Sequence, residues 1–373
     1  MTPRQTVACA ALIATLAATF TLLPLFQTPP ARAATNSYRG GPYVAGVNGP
    51  MLVLVGRGGL GQTGPTEGEI LAVQRGRVVR VLARGLPFPF SEGLAPSPRG
   101  RYVGYGAEVK GLWVATGDGS SRYRLLLPPH STQGNVLGVE SVAWSPDRFT
   151  LAYAVNIAAD FAVNPLKDRG LGIWLTRYDR ARPRLLVSPA QLGAVGIGKT
   201  GTAGGDAFAI AGLSWSPDGR TLAVSTFRPA PGVAQPGQAM PVVLAVDVAT
   251  GKTRLLLAGA HDAAFAPASG ALAYVTGEPN KAGMSLRVAD AHGRHVRVLA
   301  TVKGPIASPA WSPDGRTIAC ITGLYTGNGG TEIRTIDVAS GTTRVVLSTM
   351  GSRQHLLPPG GRFVRLAWMH TGV

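Results

Sequence analysis

One heptapeptide constrains this chain more than any other feature, because it recurs: Trp311-Ser312-Pro313-Asp314-Gly315-Arg316-Thr317. It returns as Trp215-Ser216-Pro217-Asp218-Gly219-Arg220-Thr221, as Trp144-Ser145-Pro146-Asp147-Arg148, and in weaker form as Phe265-Ala266-Pro267 and Pro96-Ser97-Pro98-Arg99-Gly100. Short apolar runs flank it, such as Ser141-Val142-Ala143 before and Leu222-Ala223-Val224 after, so the polar centre reads as a turn between two strands. Pro presets φ, Asp hydrogen-bonds its own backbone, and Gly takes the positive φ that follows. A third strand then ends in Asp247-Val248-Ala249-Thr250-Gly251 or Asp337-Val338-Ala339-Ser340-Gly341, and a fourth reads Arg254-Leu255-Leu256-Leu257 or Arg344-Val345-Val346-Leu347. Four strands per unit is the pattern of a propeller blade.

The inner strands of six such units should end near Trp368, Pro96, Trp144, Trp215, Phe265 and Trp311. The first unit has its second to fourth strands around Met51-Leu52-Val53-Leu54-Val55, Glu69-Ile70-Leu71-Ala72-Val73 and Val78-Val79-Arg80-Val81-Leu82, but no first strand before them. Phe363-Val364-Arg365-Leu366-Ala367-Trp368 matches the missing one. The expected fold is therefore all-β: a six-bladed β-propeller of four-stranded blades over residues 51–373, its ring closed by the C-terminal strand, which removes open sheet edges.

Composition agrees with a folded, turn-rich β chain. Hydrophobic residues make up 45% and charged residues 15% of the 373, drier than the roughly 25% charged of an average globular protein. Residues 1–33 read as an export signal, with Arg4, an apolar stretch over 7–26 and the small-residue cleavage pattern Ala31-Arg32-Ala33. The apolar stretch is close to the roughly 20 residues that span a bilayer, so an uncleaved N-terminal anchor is the alternative. Residues 34–50 form a linker. The expected location is exported: periplasmic, cell-surface or extracellular, with membrane tethering if the signal stays on. Cys9 falls in the signal and Cys320 is alone in a strand, so Cys320 is expected to be a small buried hydrophobe.

The two turns of each unit, between strands one and two and between strands three and four, are short and lie on one rim. The long connections fall on the other, at 56–68, 156–170, 227–240 and 323–331 within units and 128–138, 188–209 and 348–362 between them. Decorated loops on a rigid scaffold are where function usually sits.

The Trp-Ser-Pro-Asp-Gly-Arg-Thr units, each followed by an Asp-x-x-x-Gly turn and an Arg-Leu-Leu strand, resemble the TolB-type WD-like β-propeller repeat over about residues 51–370. That resemblance implies a periplasmic scaffold that binds envelope proteins, and the same repeat forms the substrate-gating propeller of prolyl-oligopeptidase-like peptidases. Only residues 34–50 separate the cleavage site from the first unit, so TolB's N-terminal domain is expected to be absent. No Gly-x-Ser-x-Gly nucleophile elbow is present to suggest a hydrolase.

The net charge is +17, and 30 of the 36 basic residues are Arg. Arg80, Arg124, Arg184, Arg254, Arg297 and Arg344 fall at what read as matching places in the fourth strands, where charge blocks edge pairing or forms a belt for an anionic cell-wall polymer or lipid surface. Nucleic acid is not expected as a partner, because these arginines are not interleaved with aromatics. Gly193-Ala194-Val195-Gly196-Ile197-Gly198-Lys199-Thr200 satisfies the phosphate-loop pattern, but it lacks the preceding strand and following helix that the pattern needs. It reads as a flexible surface loop. His292 and His295 flank Gly293 at a hairpin tip and read as a solvated turn, so neither metal nor cofactor is expected.

The remaining candidate lies four residues before each unit's Trp, where the inner strands should begin at the long-loop face. Those places hold Glu92, Glu140, Ala211, His261, Ala307 and Val364, with Asp262 and Arg365 one step on. Glu92, Glu140, His261, Asp262 and Arg365 are thus the candidate ligand- or partner-binding residues, and no catalytic residue is assigned. The function expected is a monomeric binding scaffold of the cell envelope, holding an envelope protein or a small polar ligand. The alternative is a lyase- or hydrolase-type enzyme whose acid and base sit at the channel mouth.

Overall fold

The computed structural model describes residues 47–57, 67–87, 93–107, 111–127, 137–156, 170–197, 210–229, 239–277, 283–323, 330–350 and 361–371. Six antiparallel four-stranded sheets form a six-bladed β-propeller. The inner strands are Arg362–Thr371 in blade one, then Leu94–Pro96, Gly138–Trp144, Ile210–Trp215, Ala260–Phe265 and Ile306–Trp311 in blades two to six. Each touches the next in a closed cycle. The outer strands are Arg77–Pro87, Arg122–Leu126, Arg184–Val187, Thr253–Ala258, Arg297–Val302 and Thr343–Ser348.

Blade one confirms the expected closure. Arg362–Thr371 pairs with Val47–Arg57, Leu366 opposite Val53, and the sheet runs on through Glu67–Gln74 to Arg77–Pro87. Val47–Arg57 begins inside the stretch read as linker, and that extra length acts as a clamp. Asn48 Nδ2 donates to Asp314 Oδ2 at 2.9 Å, Asp314 N donates back to Asn48 Oδ1 at 3.2 Å, and Trp368 Nε1 donates to Gly49 O at 2.9 Å. The last blade's turn is thereby tied to the first blade.

The core lies between blades. Met51, Val53 and Val55 pack toward Ile321, Ile333 and Phe363 on the blade-six side, whereas Leu52 and Leu54 pack toward Leu94 and Val103 of blade two. Alternate side chains leave a strand on opposite faces, and both faces of a blade are covered. Hence the continuous apolar run in place of an alternating one.

The recurrent turn is built from its own side chains. In blade four, Ser216 Oγ donates to Asp218 Oδ1 at 2.6 Å, the same oxygen accepts Arg220 N at 3.0 Å, and Ser216 Oγ accepts Thr221 N at 2.9 Å. Blade six repeats the set with Ser312, Asp314, Arg316 and Thr317 at 2.6, 3.0 and 2.9 Å. The Trp stitches neighbouring blades: Trp215 Nε1 donates to Ala143 O and Trp311 Nε1 to Ala264 O, at 3.2 and 3.0 Å.

A second repeated device sits on the outer strands. Each carries a bulge, at Leu82, Leu125, Leu186, Leu256, Leu299 and Val346, and a glycine of the next blade's strand-three to strand-four turn closes on those at Leu82, Leu186, Leu256, Leu299 and Val346. A Cβ on Gly251 (φ +70°) would lie 2.4 Å from Leu186 O; Gly76 and Gly341 meet Val346 O and Leu299 O in the same way. Only a glycine accepts both that φ and that approach. Arg80, Arg184, Arg254, Arg297 and Arg344 stand two residues before the bulge, but Arg124 stands one before, its matching place taken by Tyr123. The six are therefore not all in register. Arg80 Nη1 donates to Gly117 O at 3.4 Å, and Arg297 donates to Val338 O and Ala339 O. Arg80 and Arg297 thereby latch one blade to the next, a part that edge protection alone does not capture.

Residues 188–197 differ from the flexible loop expected there. Pro189–Ala194 is a helix with Ser188 as N-cap, a capping box closed by Gln191 and Pro at the first turn, and Leu192 and Ile197 are fully buried. The helix lies at the start of the phosphate-loop pattern, where that motif needs it at the end; Gly198, Lys199 and Thr200 lie outside the described residues. Cys320 is 2% exposed and burial pushes its thiol up to about 12. Among the described residues no helix is long and apolar enough to cross a membrane.

Candidate binding site at the channel mouth

The inner strands do not run straight into their turns. Their pairing slips at Glu140 in blade three, Ala211 in blade four, Asp262-Ala263 in blade five, Ser308-Pro309 in blade six and Val364 in blade one. Glu140, Ala211 and Val364 are positions singled out four residues before the aromatic, and Asp262 is the one a step on, whereas Ser308-Pro309 were not singled out. Bulges on five of the six inner strands thus surround the channel. A bulge bends its strand and re-aims a side chain. Two residues there, Asp262 at φ 51° and Ser308 at φ 53°, hold left-handed backbone without being glycine, a conformation that costs roughly 1–2 kcal/mol.

Arg365 organises what the bulges bring together. From blade one its Nη2 donates to Ala211 O of blade four at 2.5 Å, and its Nη1 lies 3.5 Å from Asp262 Oδ1 of blade five. The guanidinium thus reaches across the ring. Asp262 Oδ2 accepts Ser308 N of blade six at 3.2 Å and lies 3.4 Å from His261 Nδ1. Ser308 Oγ in turn donates to Leu366 O at 3.2 Å and accepts Leu366 N at 2.9 Å. Burial works against the Asp262 carboxylate, but the His261 hydrogen bond, the Arg365 charge and the Ser308 amide outweigh it and hold the carboxyl down at about 2.

Glu140 joins this group through Asn156. Asn156 Nδ2 donates to Glu140 Oε2 and to Ile210 O at 3.3 Å, and Asn156 Oδ1 accepts Ile210 N at 3.2 Å. Ile210 precedes Ala211, whose carbonyl takes Arg365. A continuous polar path therefore runs from Glu140 through Asn156 and the blade-four backbone to Arg365, Asp262, His261 and Ser308. Of the five candidates, the structure brings His261 and Arg365 against Asp262 and links Glu140 to them through Asn156 and the blade-four backbone. Glu92 lies outside the described residues.

Sequence reasoning missed Asn156, Ser308 and the Ala211 carbonyl. Ser308 could have been found: it stands three residues before Trp311, as Asp262 does before Phe265 and Arg365 before Trp368. Asn156 carried no repeat signal, and a carbonyl has no sequence identity at all. The long connections expected from the sequence fall largely on 58–66, 128–136, 157–169, 198–209, 230–238, 324–329 and 351–360, which lie outside the described residues. Among the described residues no group of three or more His, Cys, Asp or Glu is arranged to hold a metal ion. His292 and His295 are in a turn: Asp290 Oδ1 accepts His292 N at 2.9 Å and Asp290 Oδ2 lies 2.8 Å from His295 Nδ1.

No family model matches the chain. Among solved structures it is similar to TolB from Acinetobacter baumannii, with TM-score 0.55 and 11% identity over 86% of this chain and 66% of that one. The fold is that of a TolB-like β-propeller. A putative TolB from Agrobacterium tumefaciens aligns with TM-score 0.51 and 14% identity, over 81% of this chain and 90% of its own length. A chain of a nidogen/laminin complex aligns with TM-score 0.57 and 12% identity, over 87% and 100%. This chain spans just under two thirds of the Acinetobacter TolB. At these identities the likeness shows the TolB-like fold, and residue roles rest on the geometry above.

Proposed function

We propose that this protein is an exported cell-envelope scaffold that binds a protein partner or a small polar ligand through its channel mouth and the long-loop face around it. The observation that carries this reading is the bulge ring, which holds Asp262 and Ser308 in a costly backbone conformation and gathers Arg365, His261 and Glu140 to one end of the channel. Strain of this kind persists where surrounding structure enforces it, and it clusters at ligand clamps. The inner-strand turns at the other end need no such conformation outside Gly, except at Arg148.

A carboxyl held at about 2 is a poor proton acceptor near neutrality, so in this reading Asp262 serves as the anionic partner of Arg365 and His261. Arg365 offers a guanidinium to a ligand carboxylate in exchange for Asp262, and Glu140 offers a carboxylate to a cationic group. The likeness to a chain crystallised in the nidogen/laminin complex supplies a precedent for this fold in protein complexes. In the same reading residues 1–33 direct export or anchor the chain, 34–50 link it to the propeller, and the protein acts as a monomer. The test is photocrosslinking from position 140 or 261 in the native envelope, with mass spectrometry of the N-terminus. A discrete crosslinked partner and a mature chain beginning near Ala34 are expected; an uncrosslinked chain recovered from the cytoplasm would overturn the reading.

A further inference from the structure

The repeat supplies an internal control for its own turns, and blades two and three depart from it in one place. Arg99 stands where blades four and six have Asp218 and Asp314, and Tyr102 where they have Thr221 and Thr317. In blade three Arg148 replaces the turn glycine and keeps its φ of 70°. Phe149 stands in the place of Arg220 and Arg316. Pairing register adds two more departures: Arg177, opposite Thr150, occupies the place of Asp247 and Asp337, and Tyr178 that of Val248 and Val338.

These departures converge in space. Tyr102 and Trp144 are stacked with centroids 6.2 Å apart, Tyr178 lies 4.9 Å from Tyr102 and 5.6 Å from Trp144, and Phe149 is parallel to Tyr178 at 6.2 Å. Arg177 lies over the Phe149 ring at 4.8 Å. Among the described residues the buried Trp144 Nε1 meets no hydrogen-bond partner, although Trp215 and Trp311 use the same atom to stitch blades. Phe149 is nevertheless 38% exposed, and Arg99, Arg101, Arg180 and Arg182 are exposed beside the cluster. The neighbouring carboxylates are already engaged. Asp147 accepts Phe149 N, Thr150 N and Thr150 Oγ1, and Asp179 holds Arg177 in two hydrogen bonds of 2.8 and 2.7 Å.

We propose that the turn face of blades two and three is an interaction surface for an acidic protein segment, separate from the channel mouth. Aromatic residues and Arg are the side chains that concentrate binding energy in protein interfaces, and the surplus of exposed guanidinium groups calls for a partner rich in Asp and Glu. The rings spend their faces on one another and on Arg177, leaving edges and guanidinium groups on offer. A sugar ring or a nucleobase would need an open aromatic face. Replacing a turn Gly with a left-handed Arg costs roughly 1–2 kcal/mol, so the departure weakens the turn it sits in.

The test is fluorescence anisotropy with short synthetic peptides that alternate Asp or Glu with Leu or Tyr, alongside polygalacturonate and a single-stranded oligonucleotide as other polyanions. The double variant Arg148→Gly/Phe149→Arg restores the repeat's Gly-Arg and leaves net charge unchanged, so its effect reads the aromatic cluster apart from electrostatics. At about 0.1 M salt, where distant exposed charges are screened, the acidic peptides should bind the parent and lose about tenfold or more in affinity on the double variant. The variant should melt at or above the parent. Four outcomes would overturn the proposal: failure of the peptides to bind, equal binding of all three polyanions, unchanged affinity in the double variant, or a variant that melts well below the parent.

Discussion

The two ends of each inner strand follow different rules. At the turn end, blades four and six repeat one hydrogen-bond set to within a tenth of an ångström, each Asp accepting from the Ser and Arg of its own turn, with Asp314 adding Asn48 of blade one. At the mouth end a few residues earlier, the equivalent positions hold Glu140, Ala211, His261, Ala307 and Val364, and the bonds cross from blade to blade. Repetition marks the places where each unit must fold alike. Divergence at a fixed backbone position, held against strain, marks the places where we propose that one molecule recognises another.

The largest test of this contrast removes the closure. Deleting residues 362–373 takes Phe363 and Leu366 out of the blade-one to blade-six face and leaves Val47–Arg57 an unpaired edge. Losses of this size exceed the roughly 5–15 kcal/mol that a folded domain has in hand, so the chain should lose its cooperative melt or its solubility. A truncated chain that melts like the parent would break the account of the ring.

Single changes at the turn end should be smaller but still costly. Gly251→Ala meets both the left-handed penalty of roughly 1–2 kcal/mol and the collision with Leu186 O, whereas Gly219→Ala at φ 70° has nothing within 4 Å of its new Cβ. Gly251→Ala should therefore depress the melting temperature more, and equal effects would remove the latch from the argument. Asp314→Ala loses partners in Ser312, Arg316 and Asn48. It should cost about 1–3 kcal/mol in chemical denaturation.

How much of this could be read from the chain follows from what makes each feature. The six blades and their closure were legible because Trp-Ser-Pro-Asp-Gly acts locally, within the few residues that spell it, and because the first unit visibly lacked a strand. Arg365, Asp262 and His261 were legible because they are charged or titratable at counted positions. Ser308 and Asn156 were not singled out, since their parts depend on contacts from blades distant in sequence. The outer-strand register was misjudged at Arg124 because a bulge shifts a position without changing composition. The helix Pro189–Ala194 did announce itself, through Ser188-Pro189-Ala190-Gln191 as a capping box with Pro at the first turn, but the glycines that follow masked it.

The smallest expected effect is on pH dependence. The Asp262 carboxyl is held at about 2, below its ordinary 3.8, so its contribution to stability is complete above the ordinary carboxylate range and is lost as pH falls through about 2. Asp262→Asn lacks that contribution. Melting followed from about pH 5 down to about pH 2 should show a shallower acid-side decline in the variant than in the parent. Parallel curves would mean that the mouth network holds no charge of consequence.

The measurement that tests the central claim most directly compares two double variants in one assay, reading melting temperature and capture of the crosslinked partner together. Glu140→Ala/His261→Ala changes the mouth, and Asp218→Ala/Asp314→Ala changes the turns. The account predicts that the mouth variant keeps the parent's melting temperature to within a few degrees and loses capture, while the turn variant melts lower and still captures below its melting point. Capture retained by the mouth variant and lost by the folded turn variant would contradict it.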